Sequence, residues 1–71
     1  MNKIMLSNNI KQLRAINNYT QDDLAKLCKC TRQTINAIEK NKYSPSLVLA
    51  FKIAYELKSE INEVFDYNNK E

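Results

Sequence analysis

One short segment of the chain carries side chains that suit hydrogen bonding to the base edges of double-stranded DNA. Arg32 can donate two hydrogen bonds to O6 and N7 of guanine, and Gln33 can pair in a similar way with N6 and N7 of adenine. Thr31 and Thr34 can bind phosphate through their hydroxyls or touch thymine through their methyl groups. Asn36 would lie further along the same outer face of a helix. Any small helical domain can expose such a face, so these residue types leave DNA reading and plain solvation equally open.

The apolar residues around this segment predict two short helices joined by a tight turn. Leu24 and Cys28 stand four residues apart, and Ile35 and Ile38 stand three apart, so each pair shares one helix face. A single helix cannot place both pairs on one face, because the phase slips at residues 29–31. We therefore expect a helix-turn-helix motif at about residues 20–39, whose second helix, 31–39, presents the polar side chains.

Capping residues mark where the two motif helices begin. Thr20 suits the N-cap of the first, and Asp23 at the third helical position completes an acidic variant of the capping box. Thr31 suits the N-cap of the second. The local signals and the apolar spacing therefore predict the same two helices.

Three further helices are expected outside the motif. Asn8 or Asn9 should cap the first, and the inward candidates of that helix are Ile10, Leu13 and either Ile16 or Asn17. The fourth helix should begin at residues 44–46, and its inward candidates are Leu47, Ala50, Phe51, Ile53, Ala54 and Leu57. Ser59 should cap a short last helix.

The length and the charge distribution fit one small domain with one basic face. Seventy-one residues make a single domain, 1–71, near the lower size limit for one hydrophobic core. The formal net charge is +3, and residues 1–19, 20–46 and 47–71 carry +3, +2 and −2 respectively. We expect the basic part, which includes the motif, to face phosphates and the acidic third to face away from them.

The composition argues against catalysis, metal binding and membrane insertion. The chain has no histidine and no glycine, which removes Ser–His and Cys–His nucleophile pairs and glycine-rich phosphate loops. Cys28 and Cys30 are too few ligands for a structural zinc site and fall at inward positions, so we expect them to fill the core, with a thiol sensor as the alternative. No apolar run approaches the roughly 20 residues that span a bilayer, and no signal peptide opens the chain. These features predict a cytoplasmic, non-enzymatic protein without a cofactor or an evident small-molecule ligand.

The same segments resemble the Cro and lambda-repressor-like regulators, also called the xenobiotic-response-element (XRE) family. The resemblance is carried by Gln21–Ala25, Thr31–Ile35 and Ile38–Glu39, and it continues through Tyr43–Leu47 to Val64–Phe65, so it covers nearly the whole chain. It implies an all-α, compact five-helix DNA-binding domain with a small antiparallel ribbon between residues 1–7 and 65–67, as in small stand-alone repressors such as the cytolysin-operon regulator. The family often has glycine in the turn where this chain has Lys29, whose left-handed conformation would cost roughly 1 kcal/mol.

The resemblance also implies roles for polar residues around the second motif helix. Gln21, at the start of the first motif helix, is expected to contact a phosphate, which the helix dipole also favours. Arg14 and Glu39 match positions that form an ion pair in relatives, which would make Glu39 structural. The residues expected to hold the other side of the groove are Lys40, Lys42 and Tyr43.

These expectations together describe a sequence-specific regulator of transcription, most simply a repressor. One module covers only a half-site, so we expect a homodimer on a palindromic operator. The dimer contacts are expected in the acidic C-terminal third, from Ile61, Val64, Phe65 and Tyr67, with Leu47 or Leu49, although core packing competes for Ile61 and Val64. A protein-interaction module with the same fold, such as an antitoxin or antagonist, is the alternative that the sequence leaves open.

Overall fold

The computed structural model describes residues 3–70, which form five helices and one two-stranded sheet. The helices are α1 (Ile10–Ile16), α2 (Gln21–Cys28), α3 (Arg32–Glu39), α4 (Leu47–Glu56) and α5 (Ile61–Val64), and the strands are β1 (Lys3–Asn8) and β2 (Phe65–Lys70). This architecture confirms the predicted five-helix domain. Met1, Asn2 and Glu71, at the ends of the predicted 1–71 domain, lie outside the described residues. Between residues 3 and 70, no helix is long and apolar enough to cross a membrane.

The sheet joins the two ends of the chain. β1 and β2 pair antiparallel, with Leu6 opposite Tyr67 and Asn8 opposite Phe65. The predicted ribbon is therefore confirmed, and its strands extend beyond the predicted bounds, to Asn8 and to Lys70. Because β1 continues through Asn8, the N-cap position of α1 falls to Asn9, while the Asn8 side chain accepts a hydrogen bond from the Ile10 N–H.

Four helices end in the same way although the chain has no glycine. Asn18, Lys29, Asn41 and Lys58 follow α1 to α4, and each has a left-handed backbone with φ between 57° and 60°. In each case the next N–H donates to a carbonyl five residues earlier, as between Cys30 and Ala25 (3.0 Å). This arrangement satisfies carbonyls that the helix leaves unpaired, but it costs about 1–2 kcal/mol of backbone strain per residue, less at asparagine.

The core forms where α2, α3, α4 and α5 meet, with Ile10 from α1. The largest fully buried side chains are Ile10, Leu24, Cys28, Ile35, Ile38, Ile53, Leu57 and Val64. This agrees with the predicted inward positions of the two motif helices.

Of the other sequence expectations, the alternative on α1 is decided in favour of Asn17, and two are wrong. On α1, Ile16 is 74% exposed, and Asn17 lies inward instead, because its amide can donate to the carbonyls of Leu13 and Leu57. On α4, Leu47 and Phe51 are 70% and 53% exposed, because the helix turns its opposite side toward α2 and α5. The last helix is capped by Glu60, whose N–H donates to the Glu63 carboxylate at 2.7 Å, and not by Ser59.

Candidate nucleic-acid interface

Side-chain caps fix the starting points of both motif helices. Thr20 Oγ1 accepts from the Asp23 N–H at 3.0 Å, and the Asp23 carboxylate accepts from the Thr20 N–H at 2.9 Å. The Thr20 backbone N–H, followed by the Thr20 hydroxyl, holds the pKa of Asp23 below its ordinary value. Thr31 Oγ1 accepts from the Thr34 N–H at 3.1 Å and lies 2.9 Å from Thr34 Oγ1. The hydroxyls of Thr31 and Thr34 thus bond to each other at the beginning of α3, where the helix would first meet DNA.

The apolar sides of α2 and α3 hold the two helices together. Leu24, Ala25 and Cys28 of α2 are buried, as are Ile35 and Ile38 of α3. Ala25 is small enough to allow close approach of the helices, and Lys29 supplies the left-handed turn between them. This packing sets the direction in which α3 presents its outer face.

The outer face of α3 is polar, basic and open. Arg32, Gln33 and Lys40 are exposed, Asn36 is half-buried, and these four residues line one shallow groove. In the part of the chain that the structure describes, the side chains of Arg32, Gln33 and Lys40 make no hydrogen bond or ion pair. Their donors are therefore available to an external partner, and a helix about 10–12 Å wide fits the major groove of DNA.

An ion pair between α1 and α3 removes the one negative charge of α3 from this face. Arg14 Nε donates to Glu39 Oε2 at 2.6 Å and Nη2 donates to Oε1 at 3.1 Å. The two side chains are only 14% and 9% exposed, and Arg14 Nη1 also donates to the Tyr19 carbonyl at 3.1 Å. Glu39 is thereby neutralised and held at the back of α3, so α3 can approach phosphates without an uncompensated acid.

Gln21 is committed to contacts within the chain. Its Nε2 donates to Asn36 Oδ1 and to Glu39 Oε1, both at 3.2 Å. The sequence predicts a phosphate contact for this side chain, and it contains no signal for the contacts with Asn36 and Glu39. The structure joins Gln21 to Asn36, a predicted DNA contact, through one hydrogen bond.

Two residues that the sequence did not assign to the interface belong to the same region. Lys11 lines a groove with Arg14, Gln21 and Lys40, which adds a cation beside α3. Asn8 braces the segment after α3, because its Nδ2 donates to the Ile38 carbonyl at 2.9 Å and to Asn41 Oδ1 at 3.1 Å. The absence of acids from residues 1–19 was the one sequence signal for Lys11.

The residues expected beyond the end of α3 are all at the surface. Lys40, Lys42 and Tyr43 are exposed, and they follow the outer face of α3 directly. The Lys42 N–H donates to the Ala37 carbonyl at 2.9 Å, which fixes the path of the backbone there. These side chains are placed to extend the basic surface past the end of the helix.

The predicted dimer residues differ sharply in exposure, and the assignment of one of them to the interface must be corrected. Val64 is 0% exposed, because it closes the core between α4 and the sheet, so it offers no surface to a second molecule. Ile61 and Phe65 are half-buried against the core, and Tyr67 is exposed.

A larger apolar surface lies on α4. Its members, called here the α4 stripe, are Leu47, Val48, Phe51 and Tyr55, all of them exposed. The sequence contained a signal for it, since LVLAFKIAYE has more apolar residues than one buried helix face requires.

Both cysteines are free thiols in apolar surroundings. Cys28 is buried and Cys30 half-buried. Burial is the main cause that raises the pKa of Cys28 to about 11, and burial also raises the pKa of Cys30. Within the described ranges, no group of three or more potential metal ligands lies together.

Comparison with known proteins places this chain among regulators of transcription. The helix-turn-helix family model matches residues 10–64. A helix-turn-helix-type transcriptional regulator of Methanocaldococcus jannaschii is 52% identical over 66 residues, which span 93% of this chain and all of that protein. A regulator of the same type from Bacillus subtilis is 43% identical over 60 residues, which span 84% of this chain and 91% of that protein.

A solved structure shares the fold. The restriction-modification controller protein of Aeromonas hydrophila superimposes with a TM-score of 0.71 at 30% identity, and the match covers 76% of this chain and 82% of that one. The relatives of this chain are named as regulators of transcription. The buried positions of the motif, the capped start of α3 and the open polar face of α3 are in agreement with that role. The chain belongs to the XRE-type helix-turn-helix family of transcriptional regulators.

Proposed function

We propose that this protein is a sequence-specific repressor that binds double-stranded DNA as a homodimer, with α3 in the major groove of each half of a palindromic operator. The observation that carries the proposal is the open outer face of α3, where Arg32 and Gln33 have no partner among the described side chains. Arg32 suits guanine and Gln33 suits adenine. Thr31 and Thr34 lie at the first turn of α3, where phosphates and thymine methyl groups come within reach.

The surrounding residues support a binding mode in which phosphates position the helix. Lys11, Lys40 and Lys42 border the face, and the Arg14–Glu39 ion pair withdraws the acid of α3 from it. Contacts of this kind add affinity that falls with salt but little sequence preference. Base preference then rests on the outer face of α3.

The dimer that we propose is formed by a second copy of the chain packing on the α4 stripe. The stripe is on α4, which packs mainly against α2 and α5, so it does not compete with α3 for DNA. It belongs to the acidic third of the chain, which phosphates repel. A two-fold axis would bury the same four apolar residues on both copies. A palindromic operator would require that axis to place the two α3 helices in successive major grooves about 34 Å apart. Tyr67 and the half-buried Ile61 and Phe65 are the further candidates for that interface.

Repression in this proposal is steric and requires no catalysis or cofactor. A dimer bound over a promoter would exclude RNA polymerase, and the protein would act in the cytoplasm, where the operator lies. The operator itself is to be found by selecting bound duplexes from a random pool.

The test is a fluorescence titration of the selected duplex and of a scrambled duplex at two salt concentrations. We expect tight, salt-sensitive binding that prefers the selected sequence, and a loss of about tenfold or more with Arg32→Ala or Gln33→Ala. Asn62→Ala, on the exposed side of α5, is the matched control and should bind like the wild type. Equal binding of both duplexes would contradict the proposal and favour a protein-interaction module with the same fold.

A further inference from the structure

A chain of hydrogen bonds leads from a cation inside the domain to the DNA-facing side of α3. Arg14 donates twice to the Glu39 carboxylate, and Gln21 Nε2 donates to that carboxylate and to Asn36 Oδ1. Arg14, Gln21 and Asn36 belong to three different helices, so the hydrogen-bond chain connects α1, α2 and α3. Asn36 also lines the groove with Arg32, Gln33 and Lys40.

The donors and acceptors along this chain determine which way each amide points. The Glu39 carboxylate, which accepts both hydrogen bonds of Arg14, can only accept, so Gln21 must turn Nε2 toward it. With Nε2 in that position, the Asn36 atom that faces Gln21 must be the acceptor Oδ1. Asn36 Nδ2 then points away from Gln21, and it has no acceptor among the side chains and carbonyls that the structure describes.

We propose that Asn36 reads DNA as a hydrogen-bond donor only, and that Gln21 is the positioning residue that imposes this polarity. The inference rests on the proposed function, since it concerns the base that α3 meets. A free asparagine pairs with adenine by donating to N7 and accepting from N6, which requires both Nδ2 and Oδ1. With Oδ1 turned toward Gln21, Asn36 directs Nδ2 to the groove, so it favours a base edge that presents acceptors, and guanine, with O6 and N7, presents two.

The decisive variant is the exchange Gln21→Glu/Glu39→Gln, which reverses the polarity at position 21 without placing two carboxylates side by side. In this exchange the carboxylate at position 21 accepts from the amide at position 39, so Asn36 must turn Nδ2 inward and expose Oδ1 to the groove. The base preference should then shift from guanine toward adenine or cytosine, which present amino groups. Gln21→Met removes the hydrogen bonds without imposing the opposite polarity, so it should weaken the preference without reversing it.

The measurement is the base preference at each position of the operator, taken from duplexes selected from a random pool. Asn36→Ala locates the base pair that Asn36 reads, because the preference should vanish at that position alone. There we expect about a tenfold preference for guanine over adenine in the wild type and its reversal in the Gln21→Glu/Glu39→Gln exchange. Gln12 is exposed and lines the neighbouring groove with Lys11 and Gln21, so Gln12→Glu is the control for a carboxylate placed outside the hydrogen-bond chain. It should lower the affinity for all duplexes without changing the preference.

A second readout needs no DNA and checks the polarity directly. In the NMR spectrum of the free protein, the Gln21 side-chain N–H protons should exchange slowly with water and shift in Glu39→Gln, while the Asn36 side-chain protons exchange fast. The inference is overturned if Asn36→Ala changes no position, or if the Gln21→Glu/Glu39→Gln exchange and Gln21→Met both keep the wild-type preference while circular dichroism shows them folded. A wild type without any sequence preference would instead overturn the proposed function, so the two failures are distinguishable.

Discussion

Arg14 and Glu39 are 25 residues apart in the chain and meet through two hydrogen bonds, of 2.6 Å from Nε to Oε2 and 3.1 Å from Nη2 to Oε1. The guanidinium also donates to the Tyr19 carbonyl, just before the cap of α2. One side chain of α1 therefore ties the entry of α2 to the end of α3. The orientation of α3, on which any base contact depends, rests on this contact as well as on the apolar core.

The first prediction concerns the stability that this pair contributes. Arg14→Met should lower the free energy of unfolding by about 3 kcal/mol, because it leaves the largely buried Glu39 carboxylate without its partner. Glu39→Gln should also destabilise the domain, whereas the double variant should lose much less than the sum of the two. Urea unfolding of all four proteins measures the coupling. Strictly additive losses would contradict a direct interaction between the two side chains.

The second prediction concerns the turn of the motif. Lys29→Gly should raise the free energy of unfolding by about 0.5–1 kcal/mol, because glycine adopts the left-handed backbone without a Cβ clash. The larger entropic cost of ordering glycine keeps the gain this small. Lys26→Gly, in the interior of α2, is the matched control and should lower it by about 1 kcal/mol. Thermal unfolding of both variants provides the comparison. If Lys29→Gly is no more stable than the wild type, the left-handed backbone at Lys29 does not cost the free energy that its φ angle implies.

The third prediction concerns the proposed dimer. Phe51→Glu should convert the dimer to a monomer, because it places a charge in the middle of the α4 stripe. Lys52→Glu, the adjacent exposed position on α4, should leave the dimer intact. Sedimentation equilibrium gives the mass of each variant. A monomeric wild type, or a dimer that survives Phe51→Glu, would exclude the α4 stripe as the interface.

The fourth prediction concerns the cysteines at high pH. The folded pKa of Cys28, about 11, exceeds its unfolded value, so the buried neutral thiol stabilises the fold at and below neutral pH. That contribution should be lost as the pH rises from the unfolded value through about 11. Urea unfolding at pH 7–10.5 should show a steeper loss for the wild type than for Cys28→Ala, which removes the thiol but not the other titrating groups.

The same thiols can be examined by alkylation. Iodoacetamide at pH 8 should modify the half-buried Cys30 before the buried Cys28, because the reactive form is the thiolate and access is greater at Cys30. Fast modification of Cys28, or DNA binding that changes between oxidant and reductant, would favour the thiol-sensor alternative.

The fifth prediction separates phosphate contacts from base contacts. Lys42→Ala should weaken binding to the selected and scrambled duplexes by the same factor and reduce the salt slope by about 1. Arg32→Ala should instead reduce the preference between the two duplexes. The salt dependence of the dissociation constant, measured with both duplexes, provides the test. A change of preference in Lys42→Ala would show that its side chain reads a base.

The sequence by itself determined the local features of the motif. Thr20 and Thr31 begin their helices as predicted, Lys29 is left-handed, and the inward positions of α2 and α3 are buried. Each of these features depends on residues within four or five positions of one another, where capping and helical periodicity act. The family resemblance, which continues beyond the motif to Val64–Phe65, added the Arg14–Glu39 ion pair, which the structure contains.

Only the tertiary structure decided which partners Gln21 takes and which apolar side chains stay outside. Gln21 bonds to Asn36 and Glu39, 15 and 18 residues away, and no local pattern distinguishes this from a free side chain at a helix start. Phe51 looks like a core residue in a helix that is apolar on most sides, yet α2 and α5 cover the opposite side of α4. Hydrophobic periodicity gives the direction of a buried face only when the helix has one apolar face, and polar partners depend on how whole helices pack.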